Sequence, residues 1–353
     1  MNIKIQKTEK SRLPEVDFDN LGFGDIFTDH MFVMDFKDGK WQDARIVPFQ
    51  NLSFSPALIT LHYAQTIFEG MKAYFSKDGK VNIFRPEVHA NRINVSAKRL
   101  CIPELKPDVF IQALTTLLDL DREWVPKNEE ESLYIRPFIF ATDEYLGVAV
   151  SKTYKFMIIM SPVSKYYKEG LNPISLMTSG EFTRACEGGT GYIKAGGNYA
   201  SSLYPAKLAK DKGYAQILWL DNKEHRYVEE VGTMNILFLF GDELVTAPLE
   251  GTILSGVTRD SIMTLAKEWG YMVSERRLTI DEVLEGAENG TLTEVFGAGT
   301  AAIISPVGKI NHLGKEVTIN NNETGEISKR IYEELKNIRY GEVEDKHNWN
   351  LSI

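Results

Sequence analysis

Cysteine is scarce in this 353-residue chain, with Cys101 and Cys186 far apart. Two isolated thiols give no disulfide framework and no CxxC zinc signature, and they suit a reducing compartment. The histidines are scattered as well (His30, His62, His89, His225, His312, His347), with no HExxH or similar ligand spacing, so no metal is expected. Long apolar runs are missing: residues 156–160 and 236–240 are strand-sized, far short of a membrane span. The N-terminal stretch mixes acids with bases and lacks an apolar h-region, which predicts no secretory signal. Positive charge is not in excess either. Forty-nine acids against 40 bases give a net charge of -9, which argues against a general nucleic-acid or anionic-membrane binder. The expectation is a cytoplasmic protein.

What is present is an ordinary globular composition, 43% hydrophobic and 25% charged, over a length that suits two domains. Apolar spacing predicts helices over 86–99 and 107–125 and buried strands over 133–140 and 154–160. Residues 161–173, polar with two prolines and a glycine, read as a linker. Beyond it a strand at 174–177 precedes a helix over 199–212, closed by Gly213. Strands follow at 216–220, 226–228, 235–240 and 243–245. A helix over 258–269 has Thr258 as its expected N-cap and Gly270 as its stop. A late amphipathic helix covers 326–338. The fold class is α+β, in two mixed α/β domains: 1–163, a linker at 164–176, and 177–353.

Several short runs carry chemistry. Lys194 lies among Gly188, Gly189, Gly191, Gly196 and Gly197, just before a helix. Glycines let backbone approach a ligand, and a partly desolvated lysine is a nucleophile toward a carbonyl. A surface lysine in a glycine-rich turn is the plain alternative. Ser255-Gly256-Val257-Thr258-Arg259-Asp260 opens a helix whose free N–H groups suit a phosphate or carboxylate, although a simple helix start reads the same way. Gly297-Ala298-Gly299-Thr300-Ala301-Ala302 is expected to be a turn after a strand over 292–296, presenting N–H groups to an anion. Arg92 is placed to meet a phosphate, or solvent. Of the adjacent Glu229 and Glu230, one is expected to be buried and to need a cationic partner, unless both are solvated.

In order along the chain, these runs resemble branched-chain amino-acid aminotransferases of the pyridoxal-phosphate fold type IV group. The matching runs are Phe68-Glu69-Gly70-Met71-Lys72-Ala73, Tyr134-Ile135-Arg136-Pro137, Lys194-Ala195-Gly196-Gly197-Asn198-Tyr199, Glu230-Val231-Gly232-Thr233-Met234-Asn235, the Ser255–Asp260 run and Phe296-Gly297-Ala298-Gly299-Thr300-Ala301. The resemblance implies an active site at the domain interface. There Lys194 would hold pyridoxal 5′-phosphate as an internal aldimine and shuttle the Cα proton. Glu230 would pair with the pyridine nitrogen and Tyr199 with the phenolic oxygen. Arg92 and the backbone of Val257 and Thr258 would hold the phosphate, with Thr233 and Thr300 completing the cofactor contacts. Phe23, Tyr63, Phe68, Tyr134 and Thr233 would line the substrate pocket, with Tyr63, Tyr134 and Arg136 serving the second carboxylate of glutamate. Thr300 and Ala301 would bind the α-carboxylate. Tyr145-Leu146-Gly147-Val148 matches a loop that closes the neighbouring subunit's site, so Leu146 and Val148 join the substrate residues and a homodimer is implied. In place of a CxxC that mammalian members carry after the glycine turn stand Ala302 and Ser305, so no thiol switch is implied there. The implied reaction is exchange of amino groups between Leu, Ile or Val and 2-oxoglutarate. A D-amino-acid aminotransferase, an aminodeoxychorismate lyase or an inactive cofactor-binding protein are the alternatives.

Overall fold

The computed structural model describes residues 1–128, 131–164 and 171–353; residues 165–170, the middle of the expected linker, lie outside the described residues. Two compact units emerge. The first comprises Met1–Tyr166, Lys194–Gly196 and Lys336–Ile353, and the second Tyr167–Ile193 and Gly197–Leu335.

The first unit is one sheet with two helices on a face. Its strands are β1 (Lys4–Ile5), β2 (His30–Lys37), β3 (Lys40–Pro48), β4 (Thr66–Phe68), β5 (Met71–Phe75), β6 (Val81–Phe84), β7 (Ser132–Ala141), β8 (Tyr154–Val163) and a C-terminal strand, Asn350–Ser352. They run in the order β1-β3-β2-β8-β7-β5-β6 and then the C-terminal strand, with β4 on β7. The last strand pairs antiparallel with β6. That pairing brings the C-terminal segment into the first unit, where a boundary drawn along the chain at 164–176 would assign it to the second.

Helices α1 (Ile59–Tyr63), α2 (Pro86–Arg99) and α3 (Pro107–Leu120) accompany the sheet. The helix expected to run to 125 stops at Leu120 and gives way to a 3-10 turn, Arg122–Trp124, whose Trp124 indole donates to Asp29. Proline opens both α2 and α3, where its missing N–H costs nothing. Strand alternation explains the apolar runs. Phe32, Met34, Ile135, Phe156 and Ile158 pack with α2 and α3, while Met31, Val33, Phe140 and Met157 form a smaller cluster. Sheet residues are thus buried on both faces. β8 continues to Val163, opposite Ser132, so the first residues of the expected linker are strand.

The second unit contains β9 (Ile174–Thr178), β10 (Gln216–Leu220), β11 (Val228–Val231), β12 (Met234–Phe240), β13 (Glu243–Thr246), β14 (Met272–Glu275), β15 (Leu292–Gly299), β16 (Ile303–His312) and β17 (Lys315–Thr318). The order is β11-β10-β9-β16-β15-β12-β13-β14, and β11 also pairs with β12, so the first six strands close on themselves. Closure leaves those six without a free edge. Its helices are α4 (Gly196–Asp211, all but its first residue), α5 (Val257–Glu268), α6 (Ile280–Asn289) and α7 (Glu326–Tyr340) as far as Leu335. Parallel β13 and β14 are joined through α5, as a parallel pair requires a crossover.

Three expectations need correction here. The strand expected at 226–228 lies at Val228–Val231, which puts Glu229 and Glu230 inside it. Thr258 is not the cap of α5; Gly256 holds that position, with no side-chain cap. The glycines at 297 and 299 are strand rather than turn, and the turn falls at residues 300–302. Packing explains the last shift. A Cβ on Gly297 would sit 2.9 Å from the Met234 methyl and one on Gly299 3.1 Å from Met234 Cγ. These glycines therefore admit the neighbouring strand's side chain. Among the described residues no helix is long and apolar enough to cross a membrane.

Ile135 is fully buried in β7, between Met71 on β5 and Met160 on β8. Replacing it with alanine opens a cavity that neither flanking strand can close. Ile135→Ala is expected to cost about 2–5 kcal/mol of stability, read as a lower denaturant midpoint at unchanged slope.

Candidate active site

The first unit fixes Lys194 by its backbone. Its carbonyl accepts from Phe68 N at 3.0 Å, its N–H donates to Ser96 Oγ at 3.1 Å, and Ala195 bridges to Ile67. The glycine-rich run is therefore docked along β4 at this point rather than forming a loose surface turn. Gly196 is needed for the approach, since a Cβ there would lie 2.9 Å from Thr66 Cγ2. The Lys194 amine sits 4.8 Å from the centre of the Phe68 ring.

Around that ring the first unit gathers other expected residues. Arg136 lies over Phe68 at 4.6 Å and donates to Tyr134 Oη at 2.8 Å. Phe23 packs against Tyr134 at 5.2 Å between centroids. Tyr134 and Arg136 are two apart on β7 and so share a sheet face. Gly70 leaves room for them, because a Cβ would lie 2.3 Å from Tyr134 Oη. Tyr63 donates to the carbonyl of Leu146, while Leu146 and Val148 themselves remain 63% and 85% exposed.

Arg92 is buried, contrary to the plain expectation of an exposed arginine. Its Nε and one terminal nitrogen bind Glu69 at 2.7 and 2.8 Å, and His89 Nδ1 meets the same carboxylate at 2.6 Å. Glu69 is fully buried. Burial alone pushes its carboxyl up, but Arg92 and His89 outweigh it and hold the group well below the usual range. His89 is pushed down, chiefly by burial, so the neutral ring donates through Nδ1. Glu69 takes two of the five guanidinium donors and fixes the plane of the rest. Glu69, His89 and Ser96 were not singled out from sequence. The signal for them was available in Phe68-Glu69-Gly70, and in the spacing of 89, 92 and 96, which places all three on one face of α2.

The second unit holds another set. Both glutamates expected to divide between interior and solvent are buried, Glu229 at 7% and Glu230 at 3% exposure. Glu230 meets Arg184 Nε at 2.8 Å, accepts from Asn235 Nδ2 at 2.9 Å and from Leu254 N at 3.2 Å. Arg184 in turn binds the carbonyls of Gly191 and Thr252. Asn235 also donates to the Leu254 carbonyl, and its Oδ1 occupies the space a Cβ on Gly256 would take, 1.9 Å away. The arginine and asparagine answer the burial of Glu230, and sequence reasoning missed both; Asn235 stood in the matched run, whereas Arg184 gave no signal.

Register places the remaining residues at one end of this sheet. Asn235 is opposite Glu230 on β11 and opposite Ala298 on β15. The turn at Gly232-Thr233 and the turn holding Thr300 and Ala301 therefore lie at the same strand ends. Gly232 has φ +53°, the left-handed geometry a two-residue hairpin turn requires. Thr233 is exposed, and Thr300 and Ala301 are half-buried. Val257 and Thr258 form the first turn of α5, whose N-cap, Gly256, has no side chain to cap it, at the helix end where the dipole favours negative charge. Tyr199 is half-buried near the start of α4.

The amino-transferase class IV family model matches residues 66–310, from β4 through most of β16. The chain belongs to this family. It is 49% identical to branched-chain-amino-acid aminotransferase 2 of Bacillus subtilis, over 99% of this chain and 97% of that one. A solved branched-chain amino acid aminotransferase from Escherichia coli superposes with a TM-score of 0.73 at 30% identity, covering 92% and 98% of the two chains. A branched-chain amino acid aminotransferase from T.th., solved with pyridoxamine 5′-phosphate, gives 0.76 at 26% identity, covering 94% and 98%. The α+β class IV aminotransferase fold is thereby shown.

The Glu69 pair yields a test. A depressed carboxyl contributes stability in full above the ordinary glutamate value of 4.5 and loses it as pH falls below. Glu69→Gln leaves Arg92 buried without its anion, at an expected cost of about 3–5 kcal/mol at neutral pH. Denaturant midpoints from pH 3 to 7 should show the wild-type advantage shrinking toward acid; a constant difference would contradict the pairing.

Proposed function

We propose that this class IV aminotransferase exchanges amino groups reversibly between L-leucine, L-isoleucine or L-valine and 2-oxoglutarate, with pyridoxal 5′-phosphate as cofactor. The observation that carries the reading is near-full-length 49% identity to a branched-chain enzyme. The donor set fits the cofactor's chemistry. A lysine is fixed by its backbone, a buried carboxylate is anchored by an arginine and an asparagine, and a helix begins at a glycine N-cap that brings no side chain of its own. When bound, pyridoxal phosphate supplies an aldehyde carbon for amine exchange and a ring that accepts the electron pair freed at the substrate Cα.

Lys194 supplies the amine that holds the aldehyde carbon and, once displaced by substrate, takes and returns the Cα proton at Nζ. Glu230, anchored by Arg184 and Asn235, keeps a proton on the ring nitrogen. Tyr199 hydrogen-bonds the phenolic oxygen. The phosphate falls to Arg92 and to the N–H groups of Val257 and Thr258, where the α5 dipole favours negative charge. Thr233 and Thr300 complete the cofactor contacts.

For the substrate, Phe23, Tyr63, Phe68, Tyr134 and Thr233 wall the side chain, joined by Leu146 and Val148. Aromatic walls suit branched aliphatic groups. Tyr63, Tyr134 and Arg136 offer donors to the second carboxylate of glutamate, and the Thr300-Ala301 backbone receives the α-carboxylate. A cytoplasmic homodimer, with Tyr145–Val148 closing the neighbouring site, belongs to the same reading. Its mass in solution tests the dimer.

Leucine and 2-oxoglutarate should yield glutamate with the purified protein. Absence of turnover with all three branched-chain substrates, or turnover of D-alanine instead, would sink the substrate assignment. Lys194→Ala should lower kcat by at least about 10²–10⁴-fold. Its melting temperature should stay near that of wild type, because the contacts fixing this segment are made by backbone.

A further inference from the structure

The Glu69 carboxylate is held in place independently of Arg92. Its backbone N–H donates to the Pro137 carbonyl on β7 at 2.8 Å. Its Oε2 accepts from Gly70 N at 3.2 Å and from His89 Nδ1 at 2.6 Å. Burial pushes His89 toward the neutral form, so the ring gives the carboxylate a donor without adding a second cation. Strand and helix thus set the Glu69 side chain through three contacts in which Arg92 takes no part.

Arg92 meets this carboxylate with two nitrogens, Nε on Oε1 at 2.7 Å and Nη2 on Oε2 at 2.8 Å. A guanidinium is planar, so two fixed nitrogens set the direction of the third. Exposure differs across the cluster. The Glu69 side chain has none and His89 has 2%, whereas Arg92 keeps 10%. The acid and the imidazole therefore lie behind the arginine, and the guanidinium is the member of the three that solvent reaches most. Stability alone does not explain the pair, because apolar residues of similar volume serve a core as well as a buried ion pair does. A two-point, charge-assisted grip on one side of an arginine is what a pre-organised anion contact on its other side requires.

We propose that Glu69 and His89 act together as positioning residues that aim Arg92 at the phosphate of the cofactor. This rests on Arg92 holding that phosphate, as proposed for the function, and identifies what makes the arginine effective there. Two effects of Glu69 oppose each other. Its negative charge offsets that of Arg92, which by itself weakens the hold on an anion. Its geometry removes the rotamer freedom of a long side chain, which strengthens that hold. Orientation prevails. Hydrogen bonds weaken steeply off line, and an arginine released from Glu69 would be left buried without its anion and would turn away toward solvent.

The test titrates cofactor-free protein with pyridoxal 5′-phosphate and with pyridoxal, which lacks the phosphate, and compares the two dissociation constants. The wild type should prefer the phosphorylated form, and Arg92→Gln should lose most of that preference. Glu69→Gln should reduce it by about tenfold or more, with the affinity for pyridoxal little changed. His89→Leu should reduce it by about 3–10-fold. His89→Asn, whose amide nitrogen falls near the place of Nδ1, should restore it. An unaltered preference in a folded Glu69→Gln or His89→Leu protein would overturn the proposal, and a greater one would show that charge prevails over orientation and overturn it as well. An equal loss for both ligands would also overturn it, as the sign of a generally loosened site. If Arg92→Gln keeps the wild-type preference, the phosphate assignment of Arg92 itself fails and the positioning role fails with it. Should Glu69→Gln not fold, His89→Leu decides, because it leaves the Glu69–Arg92 ion pair in place.

Discussion

The hydrogen bonds that hold the Lys194 backbone against β4 and α2 constrain much of the first unit. Phe68 N binds the Lys194 carbonyl and Ser96 accepts the Lys194 N–H. The next residue after Phe68 is Glu69, whose carboxylate grips His89 and Arg92 on the same helix as Ser96. One strand and one helical face therefore locate the lysine, the aromatic ring beneath its amine and the buried guanidinium together. Moving α2 by a turn would break the Ser96, His89 and Arg92 contacts at once. Such fixation pre-organises the Lys194 side chain, because the backbone's loss of freedom is met by folding.

Much of this was legible because it was local. Pro86 and Pro107 mark their helices, Gly213 and Gly270 stop theirs, and Tyr134 and Arg136 share a face by strand alternation. Lys194 stood out by its glycines, and Gly196 is indeed where close approach is required. Less legible were features created by pairing across long sequence separations. Nothing near Arg92 announces Glu69, twenty-three residues earlier, as its partner. Likewise Arg184 has no local mark of its pairing with Glu230. The turn after β15 was misplaced because Gly297 and Gly299 serve the packing of Met234, a tertiary demand that mimics the composition of a turn. Thr258 looked like a cap by residue type, but Gly256 fills that position where Asn235 crowds in.

The two adjacent glutamates show how burial is made tolerable in one case and left incomplete in the other. Glu230 has an arginine, an asparagine and a backbone N–H. A carboxylate so surrounded can remain charged away from water. Glu229 lacks such a set on its Oε2. Alternation along an extended strand led to the expectation of one interior and one solvated acid. All four residues of β11 are buried, so both faces of the strand are covered and neither acid is solvated.

Closure has a further consequence for the second unit. Because β11 pairs with both β10 and β12, the hairpin at Gly232-Thr233 is held by the sheet rather than projecting from an edge. Asn235 then binds Glu230 and the Leu254 carbonyl while its Oδ1 packs against Gly256 at the α5 N-terminus. A single amide thus sets the carboxylate and the segment leading into the helix in one register. Rearranging either requires breaking the hydrogen bonds to the other. A substitution at Gly256 acts on the carboxylate as much as on the helix, since any Cβ there must displace the asparagine that holds Glu230. The absence of a side-chain cap on α5 follows from the same crowding: the position where a capping serine or threonine would stand is the one Asn235 needs empty.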